Sequence, residues 1–281
     1  MSVDIILPTC RRPHTIAYAI QAVLGQTHRD FHLHVVGDGC DDATESVVRS
    51  FKDPRISFYR FPKAHGYGYV HRNTILRRTS APYVAYSTDD DLWFPDHLER
   101  ALGELQRCRL GLVAFRSCHV RFPDRLDPYF FAFDWRTGWF SRFLRNWFMG
   151  SVNCVHRREV FDRVGYWNEY LFRFGDREFY NRVRRSGVPS EYRDSITVLR
   201  FYAQHWDARY QALAGGPPQK RYIEQLSDPA WKQAIREAAA SRRRSLAVRK
   251  QQWQDFFLFA IRSGPKFLRF WFQLLTFPRP Q

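Results

Sequence analysis

The segment Ser87-Thr88-Asp89-Asp90-Asp91-Leu92-Trp93 places three consecutive carboxylates directly after a short apolar run, residues 82–86. A second acidic turn, residues 37–42, follows another apolar run. The formal net charge of the chain is +16, so acids gathered at two strand ends stand out from the composition. Carboxylates this close repel one another unless a cation or a proton relieves them. Oxygen donors of this kind suit Mg²⁺ or Mn²⁺, ions that usually accompany phosphates.

The bulk composition is that of a folded protein. The 281 residues are 44% hydrophobic and 26% charged, which allows one large core or two modest ones. The positive charge predicts an anionic partner: nucleic acid, an anionic membrane or a phosphorylated substrate. The five cysteines form no C-x-x-C pair, which favours reduced thiols over a disulfide framework or a zinc site. Residues 3–7 are typical of a first strand, so we expect no secretory signal.

The first hundred residues alternate strand-like and helical patterns. We expect strands at residues 3–7, 31–36, 56–59 and 83–86, and helices after Pro13, over 43–51, within 66–79 and from Pro95 to about 107. This alternation predicts an α/β fold with a mostly parallel sheet and helices on both faces. Ligands of such sheets bind beyond the carboxyl ends of the strands. Thr9, Asp38 and the three aspartates at 89–91 should therefore converge on one cleft.

The second half is less regular. We expect strands at 112–115 and 118–122, an aromatic loop at 129–135, helical order over 155–166, a helix through 185 and a late strand at 196–201. The run Gly215-Gly216-Pro217-Pro218 predicts a linker. The expected organisation is a domain at 1–215, made of a nucleotide-binding half (1–107) and an acceptor half (108–215), and a tail at 216–281.

The tail is basic and amphipathic. Trp, Phe and Leu mixed with Arg and Lys favour a helical segment that lies in a membrane interface. Charges interrupt its apolar stretches, which excludes a spanning helix of about 20 apolar residues. A tail that folds back on the core, or forms a dimer contact, is the alternative. We expect binding to an anionic membrane surface.

Four blocks in order resemble family 2 glycosyltransferases of the GT-A fold. They are Ile5-Ile6-Leu7-Pro8-Thr9 with Arg11-Arg12-Pro13, residues 35–44 beside the family's "VDDGSTDDT", Arg72-Asn73 with residues 83–98, and Gly165-Tyr166-Trp167-Asn168-Glu169 with Gly175-Asp176. The resemblance spans about residues 3–210. It implies an inverting enzyme that moves a sugar from a nucleotide-diphospho-sugar, UDP-linked, to a hydroxyl of a glycan or lipid-linked acceptor. The setting would be surface polysaccharide synthesis at the cytoplasmic face of the cell membrane.

The resemblance also assigns the donor pocket. Its nucleotide-sugar residues would be Pro8, Thr9, Arg11, Asp38, Arg72 and Asp89. Asp38 would accept a hydrogen bond from uracil N3–H, and Arg72 would reach ribose or phosphate. The alternative for Asp38 is a purely conformational role in a turn between two glycines.

The metal assignment depends on the register of the acidic motif. If Asp90-Asp91 is the final pair of a D-x-D motif, Thr88 replaces its first aspartate. In the T-D-D register of the spore-coat type, which we prefer, Asp89 contacts the nucleotide and Asp90 binds the metal. Asp90 and Asp91 are the expected carboxylate ligands of Mn²⁺ or Mg²⁺, and the resemblance to enzymes with a histidine near this point implies His205 as a further ligand. The alternative for His205 is an ordinary surface or core histidine. The competing interpretation of the acids is helix capping before Pro95.

Asp176 is the candidate catalytic base, because inversion needs a positioned carboxylate to take the proton of the acceptor hydroxyl. An N-cap, or an ion pair with Arg177 or Arg182, is the structural alternative. The family's usual Glu before this aspartate is Gly175 here. Residues 146–153 are expected on the acceptor side, with ordinary core packing as the equal alternative.

Two other functions fit parts of the pattern. A sugar nucleotidyltransferase would carry a Gly-rich loop after the first strand, and residues 8–13 contain no glycine. A non-enzymatic nucleic-acid-binding protein would explain the charge, but much of the excess lies in the tail. We therefore expect no nucleic-acid partner.

Overall fold

The computed structural model describes residues 1–121, 125–127, 150–201 and 216–242. Its strands are β1 (Val3–Thr9), β2 (Phe31–Asp38), β3 (Ile56–Phe61), β4 (Tyr83–Tyr86), β5 (Leu92–Trp93), β6 (Leu112–Arg121), β7 (Arg125–Asp127), β8 (Cys154–Arg157) and β9 (Ser190–Phe201). Its helices are α1 (Ile16–Leu24), α2 (Asp42–Ser50), α3 (Tyr69–Leu76), α4 (His97–Arg107), α5 (Val160–Val164), α6 (Gly175–Arg185), α7 (Gln219–Gln225) and α8 (Pro229–Arg242), with a short 3-10 helix at Ser151–Asn153.

These strands form one sheet in the order β3-β2-β1-β4-β8-β6-β9-β5, and β7 pairs with β6. The first four strands of this order are parallel. β8 is antiparallel to both β4 and β6, β6 is parallel to β9, and β5 is antiparallel to β9. The predicted α/β fold is confirmed, with a parallel first half and a mixed second half.

Helices cover both faces of the sheet. On one face, Ile16, Ile20 and Val23 recur at helical spacing and are fully buried with the apolar side of α4. On the other face, α3, α5 and α6 bury a second apolar cluster that includes Trp167 and Phe179. Each fully buried side chain of this size stabilises the fold by about 1.5–3 kcal/mol. The two clusters pack against opposite faces of the sheet.

The strand order reverses at β1, which has β2 on one side and β4 on the other. In an open sheet this reversal leaves a crevice beyond the carboxyl ends of the strands. Thr9 is the last residue of β1 and Asp38 is the last residue of β2. The acidic triplet Asp89–Asp91 follows β4. The fold thus places the predicted donor residues along one edge.

The expected helical order over residues 155–166 is wrong at its start, because Cys154–Arg157 form β8. Cys154, Val155 and His156 are fully buried, and pairing with two neighbouring strands outweighs the local helical pattern. The two strands expected at 112–122 are one strand, β6, whose register with β9 shifts near Arg116. β9 begins six residues earlier than expected.

The first part of the expected tail packs on the domain. Tyr222, Leu226, Ile235 and Ala239 are buried in a third cluster with residues of β5, β6 and β9. The division at residue 216 and the membrane-binding role of the tail stay predictions, since residues 243–281 lie outside the described ranges, as does the aromatic loop at 129–135. Within the described residues, no helix has the length and apolar character needed to cross a membrane.

Candidate active site

The loops after β1, β2 and β4 are in contact at the carboxyl edge. The Cys40 thiol lies 3.4 Å from the main-chain oxygen of Thr9, which joins the first two loops. Burial raises the pKa of the Cys10 thiol, and the nearby charges of Asp38 and Asp89 add to this increase. One thiol therefore has acids of two different strand ends as neighbours. The structure brings Thr9, Asp38 and the triplet together.

Pro8 and Arg11, the other two predicted donor residues at the end of β1, differ in exposure. Pro8 is half-buried inside β1 and pairs with the backbone of β2. Arg11 is exposed and has a φ of 49°, in the left-handed region that a non-glycine residue rarely adopts. A strained, exposed arginine at the end of a central strand is typical of a ligand-binding loop.

The acidic triplet lacks full charge compensation. Burial and the charge of Asp90 raise the pKa of Asp89 to about 7, although Thr9 and Arg12 oppose the shift. Burial also raises the pKa of Asp90, against the charges of Arg12 and Arg200. Each of these half-buried carboxylates would thus be stabilised by a proton or an added cation.

Asp91 has a different environment from the other two acids. It is buried, and one carboxylate oxygen accepts a hydrogen bond from the main-chain N–H of Phe201 at 2.9 Å. Its other oxygen lies 3.5 Å from Arg200 Nε. Burial and the charge of Asp90 nevertheless raise the pKa of Asp91 to about 7. These contacts tie the third acid to the end of β9.

Asp38 is surrounded by donors. Its carboxylate accepts hydrogen bonds from Lys63 Nζ and, at 2.7 Å, from the main-chain N–H of Ala64. His71 Nε2 lies 3.5 Å from Asp38 Oδ1. A Cβ on Gly68 would lie 2.8 Å from Asp38 Cγ, so only glycine fits there. In this state Asp38 organises the loop at 63–68, and a bound base would have to compete for its oxygens.

Arg72 is a buried cation on α3. Its Nη2 donates to the main-chain oxygen of Tyr67 at 3.0 Å, and its guanidinium lies over the Tyr69 and Trp167 rings, at 4.9 and 5.9 Å from their centroids. Among the described residues no carboxylate forms an ion pair with Arg72, and its buried Nε has no hydrogen-bond partner. A buried guanidinium in this condition is suited to an anion such as phosphate.

Asn73 follows Arg72 in the chain and connects the block Arg72-Asn73 with the block at residues 165–169. It is fully buried, and its amide nitrogen donates to the main-chain oxygen of Trp167 at 2.8 Å and to Glu169 Oε1 at 2.7 Å. Asn73 Oδ1 accepts from the Trp167 main-chain N–H at 3.1 Å. The spacing of the blocks did not reveal this pairing. Its effect is to fix α3 against the segment that leads to Asp176.

Asp176 lies in the first turn of α6, where its Oδ1 accepts a hydrogen bond from the Arg177 main-chain N–H at 2.9 Å. The main-chain N–H of Gly175 donates to the Tyr69 hydroxyl at 2.8 Å. A Cβ on Gly175 would lie 2.5 Å from Tyr69 Cζ, which explains why the usual Glu is absent. Burial and the charge of Asp176 raise the pKa of Tyr69 to about 12. Sequence reasoning missed Tyr69.

Arg200 acts electrostatically on two residues of the candidate site. Burial raises the pKa of Asp90, and the charge of Arg200 opposes this shift. Burial lowers the pKa of Arg177, and the charge of Arg200 adds to this shift, whereas the charge of Asp176 opposes it.

Tyr67, Phe172 and Arg173 form an exposed group that we call the aromatic rim, and it joins the loop at 63–68 to the segment that precedes Asp176. Tyr67 is 51% exposed and Phe172 is 52% exposed. The Arg173 guanidinium lies 6.0 Å from the Tyr67 ring centroid and 5.4 Å from that of Phe172. The aromatic alternation of residues 170–174 was the available signal for this rim. Exposed aromatic rings beside a guanidinium can bind sugar rings that carry an anionic group.

A divalent cation fits the donor chemistry of the triplet only in part. Half-buried carboxylates with raised pKa values favour added positive charge. Among the described residues, however, no group of three or more His, Cys, Asp or Glu side chains is arranged to hold a metal ion. His205 and residues 146–149 lie outside the described ranges. Water or substrate oxygens would have to complete the coordination, as is usual for Mg²⁺.

Comparison with known proteins gives two sequence relatives of interest. The Escherichia coli UDP-Glc:alpha-D-GlcNAc-diphosphoundecaprenol beta-1,3-glucosyltransferase WfgD is 36% identical over 111 residues, which cover 40% of this chain and 44% of that protein. The putative teichuronic acid biosynthesis glycosyltransferase TuaG of Bacillus subtilis is 30% identical over 161 residues, which cover 56% of this chain and 62% of TuaG. The matched region spans less than two thirds of either relative.

Solved structures show the same fold. Staphylococcus aureus TarS 1-349 in complex with UDP-GlcNAc has a TM-score of 0.59 at 14% identity, covering 86% of this chain and 72% of that chain. The mannosyltransferase PcManGT from Pyrobaculum calidifontis, in complex with GDP-Man and Mn²⁺, has a TM-score of 0.55 at 20% identity, covering 92% and 80%. The model of the family described as Glycosyl transferase family 2 matches residues 4–165. Because this match covers more than half of the sequence, the chain belongs to glycosyl transferase family 2.

Proposed function

We propose that the protein is an inverting glycosyltransferase. It transfers a sugar from a UDP-linked donor to a hydroxyl of a glycan or lipid-linked acceptor in surface polysaccharide synthesis. The printed names of WfgD and TuaG, which refer to a diphosphoundecaprenol-linked acceptor and to teichuronic acid, support the acceptor class. The TarS complex with UDP-GlcNAc supports the donor class.

One combination of charges carries this proposal. Arg72 is a buried cation with no carboxylate partner among the described residues, and burial raises the pKa of all three acids of the triplet Asp89–Asp91. A nucleoside diphosphate with a divalent cation satisfies both conditions. Its phosphate pairs with the guanidinium, and the cation neutralises the acids.

Different donor residues bind different parts of the nucleotide. Asp38 accepts a hydrogen bond from the base, in exchange for its present contact with Lys63. Pro8, Thr9 and Arg11 line the same pocket, and Asp89 contacts the nucleotide.

The cation, Mn²⁺ or Mg²⁺, would be held by Asp90, Asp91 and His205, and when bound it stabilises the negative charge of the departing diphosphate. The contacts of Asp91 with β9 leave Asp90 as the principal carboxylate of this set.

Asp176 acts as the general base. Its carboxylate takes the proton of the acceptor hydroxyl while that oxygen forms a bond to the anomeric carbon and the bond from this carbon to the diphosphate oxygen breaks. The attack comes from the face opposite the leaving group, so the configuration inverts. Tyr69 and Gly175 hold the first turn of α6, which orients the base.

The acceptor approaches past the aromatic rim. Tyr67 and Phe172 offer exposed rings for a sugar, and Arg173 offers a charge for a phosphate of a lipid-linked acceptor. Peripheral attachment to the inner face of the membrane through residues 243–281 would bring the site to such a substrate. This attachment rests on the basic amphipathic composition of that segment.

Thermal unfolding with a nucleotide panel tests the proposal. A hundredfold excess of UDP over its Kd should raise the Tm by about 5 °C when Mn²⁺ is present, because ligand binding to the folded state stabilises it. We expect little effect of UDP without Mn²⁺, of ADP, or of single-stranded DNA. The Asp90→Asn variant should lose the effect of Mn²⁺. Stabilisation by DNA alone would refute the transferase and favour a nucleic-acid-binding protein.

A further inference from the structure

Gln219, the first residue of α7, is fully buried although it belongs to the C-terminal segment beyond the expected linker. Its amide nitrogen donates a hydrogen bond to the main-chain oxygen of Asp90 at 2.8 Å. This contact joins residues 129 positions apart in sequence. The C-terminal segment thus touches the backbone of the acid that would hold the cation.

The other amide atom of Gln219 is unusual. Its Oε1 is buried and has no hydrogen-bond partner among the described residues. A buried acceptor without a partner costs about 1–3 kcal/mol, so native proteins normally satisfy it with a ligand, an ion or a water molecule. The oxygen belongs to the same planar amide whose nitrogen is bonded to Asp90, so it lies close to the triplet.

The segment that carries Gln219 is firmly attached. Tyr222 and Leu226, on the same helix, are buried in the third apolar cluster. On α8, Arg236 Nη2 donates to both carboxylate oxygens of Asp96, at 2.9 and 3.0 Å. These contacts fix the position of Gln219 relative to the loop after β4, as a positioning residue requires.

We propose that Gln219 is a positioning residue of the divalent-cation site. Its amide nitrogen holds the main chain of Asp90, and its amide oxygen accepts a hydrogen bond from a water molecule of the hydrated cation. Partners in this second layer orient the ligands of a metal and tune its affinity. The inference rests on the proposed function, because it needs a cation beside Asp90.

Mn²⁺ affinity measured by electron paramagnetic resonance, in the presence of UDP, tests the role of Gln219 without an activity assay. Gln219→Met keeps the size of the side chain and removes both polar atoms, so the Kd for Mn²⁺ should rise about tenfold. Gln233→Met is the matched control: Gln233 is exposed on α8 and bonds only Glu237 among the described residues. Its Kd should equal that of the wild type.

The Mn²⁺ measurements distinguish a failure of the role of Gln219 from a failure of the proposed function. An unchanged Kd in folded Gln219→Met overturns the role of Gln219 and leaves the transferase proposal intact. Absence of Mn²⁺ binding by the wild type with UDP overturns the cation site itself. Should Gln219→Met fail to fold, the wild type still provides a test by NMR. Bound Mn²⁺ should broaden the side-chain amide signal of Gln219 and leave that of Gln233 sharp; an unbroadened Gln219 signal overturns the inference.

Discussion

Asp4 at the amino edge of the parallel half of the sheet and the triplet Asp89–Asp91 at the carboxyl edge have opposite pKa shifts. At the amino edge, burial acts to raise the pKa of Asp4. The net pKa is nevertheless lowered, because the Asp4 carboxylate interacts with His34, the Ala81 N–H and Arg158. At the carboxyl edge, burial raises the pKa of every member of the triplet Asp89–Asp91. A compensated carboxylate stabilises the fold, whereas an uncompensated cluster is available to a ligand.

The amino edge also has a cavity. It has a volume of about 600 Å³ and is lined by Asp4, His34 and Tyr59 among others. Its polar groups bond one another: His34 Nε2 lies 3.0 Å from Asp4 Oδ1, and His34 Nδ1 lies 3.2 Å from the Tyr59 hydroxyl. The comparison teaches that a cavity whose polar side chains already bond one another differs from an acidic triplet whose pKa values are raised.

The largest expected effect is at the carboxyl edge. Asp176→Asn should lower kcat about a thousandfold, because an amide cannot accept the proton of the acceptor hydroxyl. UDP affinity, measured by calorimetry, should not change. Asp162→Asn, on the exposed side of α5, is the matched control and should keep full activity. Persistent transfer in Asp176→Asn would mean that the base is another residue.

At the amino edge the expected loss is in stability. Asp4→Asn leaves the Arg158 guanidinium without its carboxylate, so the free energy of unfolding in urea should fall by about 3 kcal/mol at pH 7. The folded state lowers the pKa of Asp4, so its stabilisation is present above the ordinary pKa of aspartate and is lost as the pH falls through the folded value. The difference between wild type and variant should therefore shrink in strong acid.

The control for this edge is Asp30→Asn, which removes an exposed ion pair with the terminal amine and should cost less than about 1 kcal/mol. UDP affinity of folded Asp4→Asn should equal that of the wild type. If folded Asp4→Asn loses UDP binding, the amino edge also belongs to the donor site. The contrast between a structural amino edge and a ligand-binding carboxyl edge would then be wrong.

Tyr69→Phe and Tyr59→Phe compare one tyrosine hydroxyl at each edge of the sheet. The change removes the acceptor of the Gly175 N–H at the start of α6, so kcat should fall about tenfold while the KM for the donor stays constant. Tyr59→Phe removes a hydroxyl of the amino edge and should leave kcat unchanged. Equal kcat values for both variants would remove Tyr69 from the positioning of Asp176.

The smallest expected effect is the loss of stability on replacing Asp41, a helix-capping residue at the carboxyl edge. Asp41 caps α2, where its carboxylate accepts from the Thr44 main-chain N–H at 2.9 Å. Asp41→Ala should lower the free energy of unfolding by about 1 kcal/mol and leave UDP affinity unchanged. A large drop in UDP affinity would show that the second acidic turn binds the donor through more than Asp38.

Much of the first half was predictable from sequence, because its strands are apolar runs of local origin and its helices show a 3.6-residue period. The elements that were missed depend on distant partners. β5 has two residues and exists through pairing with β9, and β8 is a strand because β4 and β6 flank it. Local periodicity carries no information about such pairing.

The sequence indicated the candidate site residues to the same extent, and their roles stay predictions. Acids at strand ends and the resemblance indicated Asp38, the triplet and Asp176. The Tyr69–Gly175 bond joins residues 106 positions apart and the Gln219–Asp90 bond joins residues 129 positions apart, so no sequence spacing predicts them. The glycine that replaces the family's Glu is explained only by the Tyr69 ring against it.

A crystal soaked with UDP and Mn²⁺, with anomalous scattering measured at the manganese edge, tests the central claim most directly. The account predicts one strong manganese peak at the carboxyl edge, within coordination distance of Asp90 and of a diphosphate oxygen. A peak beside Asp4 and His34 at the amino edge, or nucleotide bound there without metal, would contradict it.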